Sequence, residues 1–476
     1  MMGRGVRASM VVVAAVALVV ALAAAQASRG NVRPRAVDAD AVARLARVNV
    51  GPAGVQADRS TTGAVLSASG RYVAFVSGAR NLVRDDTNHV RDVFVRDLRT
   101  SWTTRVSTSS TEAESDGPSA KPSISSDGSI VVFPSSATNL VASDRNELQD
   151  VFLRDRARGA TERVSGSSAE EANGASLAAL VSADGRVVVF SSEASNLVSG
   201  DRNGALDVFV VDRAQGTTTR VGSGVENDPS DRSEASSVDA RGRVVGFRSY
   251  APGLVGHDSN GLADVFAYDR RAGVTQRVNV STVGDQADAA TFRGMLSGNG
   301  RFVGFRSRAN NLVPDDTNDA LDVFVHDRLL GLTTRVSVAS SGAEADAAGL
   351  PRSFRGSMFM SRPFLSANGR YAAFTSRANN LVPDDTNGKS DVFVHDLWTG
   401  RTIRVSLTAN GTEANGDSFV SGISADGRVV AFTSLADDLV PGDTNGRRDV
   451  FVAWLRGGRV PGVTGWRART GSRTSG

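Results

Sequence analysis

Asp443-Thr444-Asn445-Gly446-Arg447-Arg448-Asp449-Val450-Phe451 decides the fold, because it is one of seven such stretches. Reduced to D-x-N-x-x-x-D-V-F, the pattern places its last aspartate at Asp92, Asp150, Asp207, Asp264, Asp322, Asp391 and Asp449, at intervals of 58, 57, 57, 58, 69 and 58 residues. A nearly fixed period marks one supersecondary unit, repeated, that buries its faces against its neighbours. A repeat filling most of 476 residues argues for one large body rather than a string of ordinary domains.

Working outward through one unit, Pro363-Phe364-Leu365-Ser366 enters an Asn368-Gly369 turn, and Arg370-Tyr-Ala-Ala-Phe374-Thr leaves it, the usual hairpin signal. A long polar loop then runs to Asp391. Val392-Phe393-Val394 follows, Asp396 to Gly400 makes a turn, and Thr402-Ile403-Arg404-Val405-Ser406 closes the unit. Phenylalanine recurs in the second strand at 75, 133, 190, 247, 305, 374 and 432, and in the third at 94, 152, 209, 266, 324, 393 and 451. Valines flanking the third-strand phenylalanines point the other way, so both faces of the sheet are apolar and buried. First strands carry small residues, as in Ala178-Ala179 and Ser421-Gly422, which suits a crowded inner edge. The expected architecture is all-β: a seven-bladed β-propeller of four-stranded antiparallel blades.

The fourth-strand signature Arg-Val stands at Arg105, Arg163, Arg220, Arg277, Arg335 and Arg404, each 11 residues past its third-strand phenylalanine. After Phe451 it is missing. At the other end, Arg47-Val-Asn-Val-Gly-Pro-Ala-Gly-Val-Gln-Ala-Asp58 closely repeats Arg277 to Asp288. Residues around 45 to 50 are therefore expected to complete the seventh blade and latch the ring, leaving no open edge.

The two ends read differently from the repeats. Arg4 and Arg7 precede an uncharged apolar run from Met10 to Ala25, and Ala25-Gln26-Ala27 has the form of a cleavage site. The run is shorter than the roughly 20 residues that span a bilayer. The expected layout is a signal peptide at 1–27, a linker at 28–44, the propeller at 45–455 and a basic disordered tail at 456–476. The product would be exported, periplasmic or extracellular, without stable membrane insertion after cleavage, and monomeric. The absence of cysteine excludes disulfides, thiolate metal sites and a cysteine nucleophile. Removing two leader arginines and five tail arginines from the net charge of +3 leaves −4 for the body, with no basic stripe through the repeats for nucleic acid.

At Ser424-Ala425-Asp426-Gly427-Arg428-Val429-Val430-Ala431-Phe432 the chain resembles the WD40-like (PD40) repeat of TolB-type β-propellers. Related forms run from Ser125 to Phe133, Ser182 to Phe190, Ser297 to Phe305 and Ser366 to Phe374, while the first and fourth copies turn at Ser69-Gly70 and Arg241-Gly242. The resemblance covers about residues 45 to 455. It implies a propeller scaffold on which any site is grafted.

Long loops share one face of the disc, so a site is expected there or at the channel mouth, with the opposite turns too tight to build a pocket. Hard-oxygen candidates for a metal are Asp86, Asn88, Asp92; Asp144, Asn146, Asp150; Asp201, Asn203, Asp207; Asp258, Asn260, Asp264; Asp316, Asn318, Asp322; Asp385, Asn387, Asp391; and Asp443, Asn445, Asp449. Calcium is the ion such i, i+2 oxygens would take, although the late bidentate glutamate of an EF-hand is missing. The other reading is structural: Asx turns, with the final aspartate capping backbone N–H groups. His326, His395, His89 and His257 give no metal spacing and read as surface residues. The 69-residue interval adds a segment at 349–363. Its Phe354, Met358, Phe359 and Met360 are candidate partner contacts, or else crossover residues packing on their own blade. Near-uniform loops favour a non-catalytic binding or scaffold module for a protein or envelope polymer. The alternative is a hydrolase or lyase acting on envelope or extracellular polymer, with channel-mouth carboxylates as acid and base.

Overall fold

The fold is taken from a computed structural model and described for residues 41–166, 170–222, 232–346 and 362–456. The expected signal peptide, the tail beyond Arg456, and Phe354, Met358, Phe359 and Met360 lie outside the described residues.

Seven four-stranded antiparallel sheets follow one another in chain order. Blade 1 is Thr61–Leu66, Tyr72–Ser77, Asp92–Asp97 and Trp102–Arg105. The later blades repeat it, each with its third strand starting at the last aspartate of the motif. First strands touch the first strands of both neighbouring blades, including blade 7 against blade 1, so the ring is closed around its inner edge.

The tight turns between first and second strands share one design, except in blade 4, where Asp239 Oδ1 alone accepts the Arg243 and Val244 N–H groups. In blade 2, Ser125 Oγ donates to Asp127 Oδ1 (2.6 Å) and accepts the Ile130 N–H (3.0 Å), while Asp127 Oδ1 accepts the Ser129 N–H. Gly128 takes φ 73°, and a Cβ there would lie 2.5 Å from the Tyr72 ring of blade 1, so glycine is required twice over. These turns are also joined to one another. Ser126 N donates to Ala183 O, Asp184 N to Ala240 O, Ala240 N to Gly298 O, Asn299 N to Ala367 O, Ala367 N to Ala425 O, and Ala425 N to Ala68 O, all at 2.8–3.2 Å. Ser69 Oγ to Ser126 O (2.5 Å) is the seventh link. The circle of hydrogen bonds pins the blades at the axis.

Between blades the packing is apolar and directional. Second- and third-strand phenylalanines pair directly across each sheet, as Phe75 with Phe94 and Phe432 with Phe451, with ring centroids 5.8 and 5.6 Å apart. Every such pair lies on the face toward the preceding blade. Phe133 and Phe152 pack on Val93 and Val95 of blade 1, and Phe75 and Phe94 pack on Val450 and Val452 of blade 7. At about 2 kcal/mol for each large apolar side chain buried, this layer is the main source of cohesion.

Blade 7 is completed from the other end of the chain. Val42–Arg47 pairs antiparallel with Asp449–Leu455, Arg47 opposite Phe451, as Arg105 stands opposite Phe94 in blade 1. The Val48 N–H bonds to Val450 O (2.8 Å), matching Val106 to Val93. The strand begins at Val42, so Val42–Arg44, expected in the linker, belong to the blade. Deleting residues 41–50 removes this outer strand and opens the seam. Differential scanning calorimetry is expected to show a melting temperature lower by many degrees; an unchanged transition would rule out a structural latch.

Candidate functional site

The seven D-x-N-x-x-x-D loops form seven equivalent buried clusters on the long-loop face. In blade 1, Asn88 Oδ1 accepts the Val90 N–H (3.2 Å), an Asx turn, with His89 between them at φ 62°. The corresponding residue is left-handed in every copy: Glu147, Gly204, Gly261, Asp319, Gly388 and Gly446. Asn88 Nδ2 donates to Asp92 Oδ2 (2.9 Å) and to Ser115 O in the loop leading to blade 2 (3.0 Å), tying the two loops together. The final aspartate does not cap backbone N–H groups as expected. Asp92 Oδ1 instead accepts the hydroxyls of Ser107 (2.5 Å) and Ser115 (2.9 Å), and the Val93 N–H goes to Ser107 Oγ.

The centre of each cluster is the arginine of the Arg-Val signature. Arg105 Nη1 lies 3.3 Å from Asp86, 3.9 Å from Asp92 and 2.5 Å from Glu114. Arg163, Arg335 and Arg404 repeat this with Glu171, Glu344 and Glu413, Arg220 with Asp201 and Asp207, and Arg277 and Arg47 with their own aspartate pairs. Blades 4 and 7 replace two members together. Asn279 and Asn49 stand for the serine, and Gln286 and Gln56 for the glutamate, each glutamine donating to both aspartates. In the sequence the aspartates and asparagines stand out as candidate ligands and the arginine only as a strand marker; its 13-residue distance from the final aspartate in six of the seven copies is the available signal. Among the described residues no group of three or more His, Cys, Asp or Glu side chains is disposed to hold a metal ion.

One guanidinium faces two or three carboxylates, so negative charge is in excess. Burial, reinforced by the neighbouring final aspartate, pushes Asp86, Asp144 and Asp316 up to about 6 and Asp385 to about 7. Glu413 behaves oppositely: hydrogen bonds from Thr386 and Arg404 outweigh its burial and hold it at about 2. The acidic residues of the inter-blade loops are likewise engaged internally. Glu112 meets Arg154, Asp116 accepts the Thr138 N–H, and Asp346 accepts the Asn379 N–H.

Asp97, at the end of the third strand, accepts the Arg99 N–H as a turn former and also binds Arg71 through two contacts (3.0 and 2.7 Å); the bond from Arg71 lowers it to about 2. His89 and His257 are exposed, but His326 and His395 are buried, contrary to a surface reading. Each approaches a threonine hydroxyl, Thr333 or Thr402, at 2.9 Å, and burial lowers both to about 4. Arg96 and Arg154 fill the same slot in blades 1 and 2, bonding Thr103 and Thr161. The tight-turn face is not without a recess either. A groove of about 930 Å³ lies between blades 6 and 7 beside Arg370, Tyr371, Asp396, Asp426 and Arg428.

No family model matches the chain, and no curated protein matches it. Solved structures do. The putative TolB from Agrobacterium tumefaciens is similar at 15% identity over 76% of this chain and 96% of that one, with a TM-score of 0.39. The oligogalacturonate lyase of Vibrio parahaemolyticus matches at 10% identity over 88% and 92%, TM-score 0.44. The β-propeller domain of the Trilobed protease from Pyrococcus furiosus, which has an open velcro topology, matches at 9% over 83% and 95%, TM-score 0.47. The fold rests on the chain's own seven closed sheets. It is a β-propeller.

Two outcomes follow from the clusters. Arg335→Met leaves Asp316, Asp322 and Glu344 without their cation, and urea unfolding is expected to show a loss of about 3–5 kcal/mol; a loss below about 1 kcal/mol, as for an exposed pair, would mean the pairing is incidental. The raised aspartates retain protons that an unfolded chain, with aspartates near 3.9, has released. Their contribution is full below about pH 4 and is lost as pH rises through about 6 to 7, whereas that of Asp97 and Glu413 is lost as pH falls below about 4.5. The melting temperature should therefore be higher at about pH 5.5 than at about pH 7.5, with the difference reduced in Asp385→Asn.

Proposed function

We propose that the chain is an exported, monomeric propeller acting as a non-catalytic binding or scaffold module for a protein or envelope polymer. One observation supports this above others: the recurring aspartates of the seven long loops are spent on arginines of the fold itself. The first aspartates have side chains no more than 5% exposed, each facing an arginine, and there is one in each blade rather than several in one pocket. Hydrolysis or lysis of an envelope or extracellular polymer would need an acid and a base converging on one substrate. The upward shift of Asp385 is what favours that second reading, but its carboxylate lies buried against Arg404.

The same geometry bears on calcium. The fourth-strand guanidinium stands among the oxygens that a calcium ion would need, so we take the arginine as the built-in cation of each loop. Among the described residues no helix is long and apolar enough to cross a bilayer.

Purified protein incubated with cell-envelope polymer is expected to co-sediment with it, or with a defined envelope protein, while releasing no new reducing ends or unsaturated products. Product release that disappears in Asp385→Asn would overturn the binding reading. Millimolar calcium is expected to leave the melting temperature unchanged, whereas a rise abolished by chelator would make the loops metal sites.

A further inference from the structure

The departure from seven-fold uniformity lies at the inner edge. Four residues before the serine or aspartate of each tight turn stand Gly63, Lys121, Ala178, Ala235, Arg293, Arg362 and Val420, the three basic ones just ahead of short first strands. Three of the seven are basic and the other four are small or apolar. Lys121, one of only two lysines among 54 basic residues, extends over Gly63, where a Cβ would sit 3.3 Å from the lysine Cβ. Arg362 reaches to the Ser236 carbonyl of blade 4 (2.8 Å). Arg293 is held by Glu234, which also pairs with Arg232.

A cavity of about 370 Å³ opens here, between blades 6, 7, 1 and 2. Arg91, Lys121, Arg362 and Arg448 line it, with Phe364 and Phe419 as apolar wall, and no acidic side chain is among the described residues that line it. Arg448 stacks on Phe419 at 5.3 Å. The side chains of Lys121 and Arg91 have no hydrogen bond or ion pair to any described residue. Burial, then the charges of Arg362 and Arg293, push the Lys121 ammonium down to about 7. In the long loops each buried arginine faces two or three carboxylates; here four cations line one cavity, and the carboxylates that act on Arg362 and Arg448, Glu234 and Asp417, stand outside its lining. Like charges in a half-enclosed cavity repel, and an anion bound among them removes that cost.

We propose that the central channel holds an anion-binding site, in which Lys121, Arg362, Arg91 and Arg448 take a carboxylate or phosphate group of a small ligand whose body rests on Phe419 and Phe364. This site goes beyond the macromolecular binding reading and stands or falls separately from it. Arg and Lys supply the charge-assisted donors such groups require, and the cavity lies within the usual size range of small-molecule sites.

The test is calorimetric titration of the full chain with citrate (the carboxylate arm), pyrophosphate (the phosphate arm) and sucrose (a neutral control) at matched ionic strength. Citrate or pyrophosphate is expected to bind saturably at sub-millimolar concentration, and sucrose not at all. Lys121→Gln should weaken binding about tenfold or more, while Arg271→Gln, an exposed cation outside the cavity, leaves it unchanged. Lys121→Gln without ligand should melt no lower than the parent, because it removes a repelling charge; a lower melting point would make Lys121 a structural residue. Failure of both anions to bind, or equal binding by both variants, overturns the site. Which arm binds identifies the source of the anionic group.

Discussion

Every blade has two apolar faces, one of paired phenylalanines and one of valines, and each face is covered only by a neighbouring blade. A linear stack would leave two such faces in water, at a cost of several large side chains each. Closing the ring removes both. The turn-to-turn hydrogen bonds at the axis and the N-terminal strand at the rim hold the circle at its inside and its outside. Deviations from the repeat are tolerated only where this layer is untouched, as in the variable first strands and the long loops.

The long loops solve a second problem, which is how to run irregular backbone across a sheet edge without leaving polar groups unpaired. Asparagine makes the turn, the left-handed residue after it reverses the chain, and the final aspartate accepts hydroxyls from the next inter-blade loop. Arginine supplies the charge. Buried ion pairs are weak evidence for stability, and their best-attested role is to fix register. Here each cluster joins the 2–3 loop of a blade, its fourth strand and the loop to the next blade. In blades 4 and 7 serine gives way to asparagine and glutamate to glutamine together, and in each the new pair still bonds the same aspartates.

The blade count, the order of strands and the latch were legible in the sequence because they depend on period and register, which a repeat displays several times over. The missing Arg-Val after Phe451 and its reappearance at Arg47 placed the two ends in one sheet, with an error of three residues at the outer end. Side-chain partners were less legible. Asp92 and Arg105 are 13 residues apart on neighbouring strands, and nothing local shows that they meet. His326 and His395 sit next to a turn aspartate, so they read as exposed. Their slot is a buried polar position in which arginine and histidine both reach a threonine. The channel cations escaped notice because first strands vary and because the longer interval shifts Arg362 out of simple periodicity.

The latch has a consequence for how the molecule comes to be made. Asn49 bonds Asp449, a partner 400 positions later in the chain, so the rim strand emerging first from the ribosome must wait for the last blade. Until then blade 7 has no outer strand and blade 1 has no neighbour for its phenylalanine face. Contacts of such long separation are slow to form. The circle therefore keeps its own clock: an unfinished chain stays open, and only a full-length one can shut.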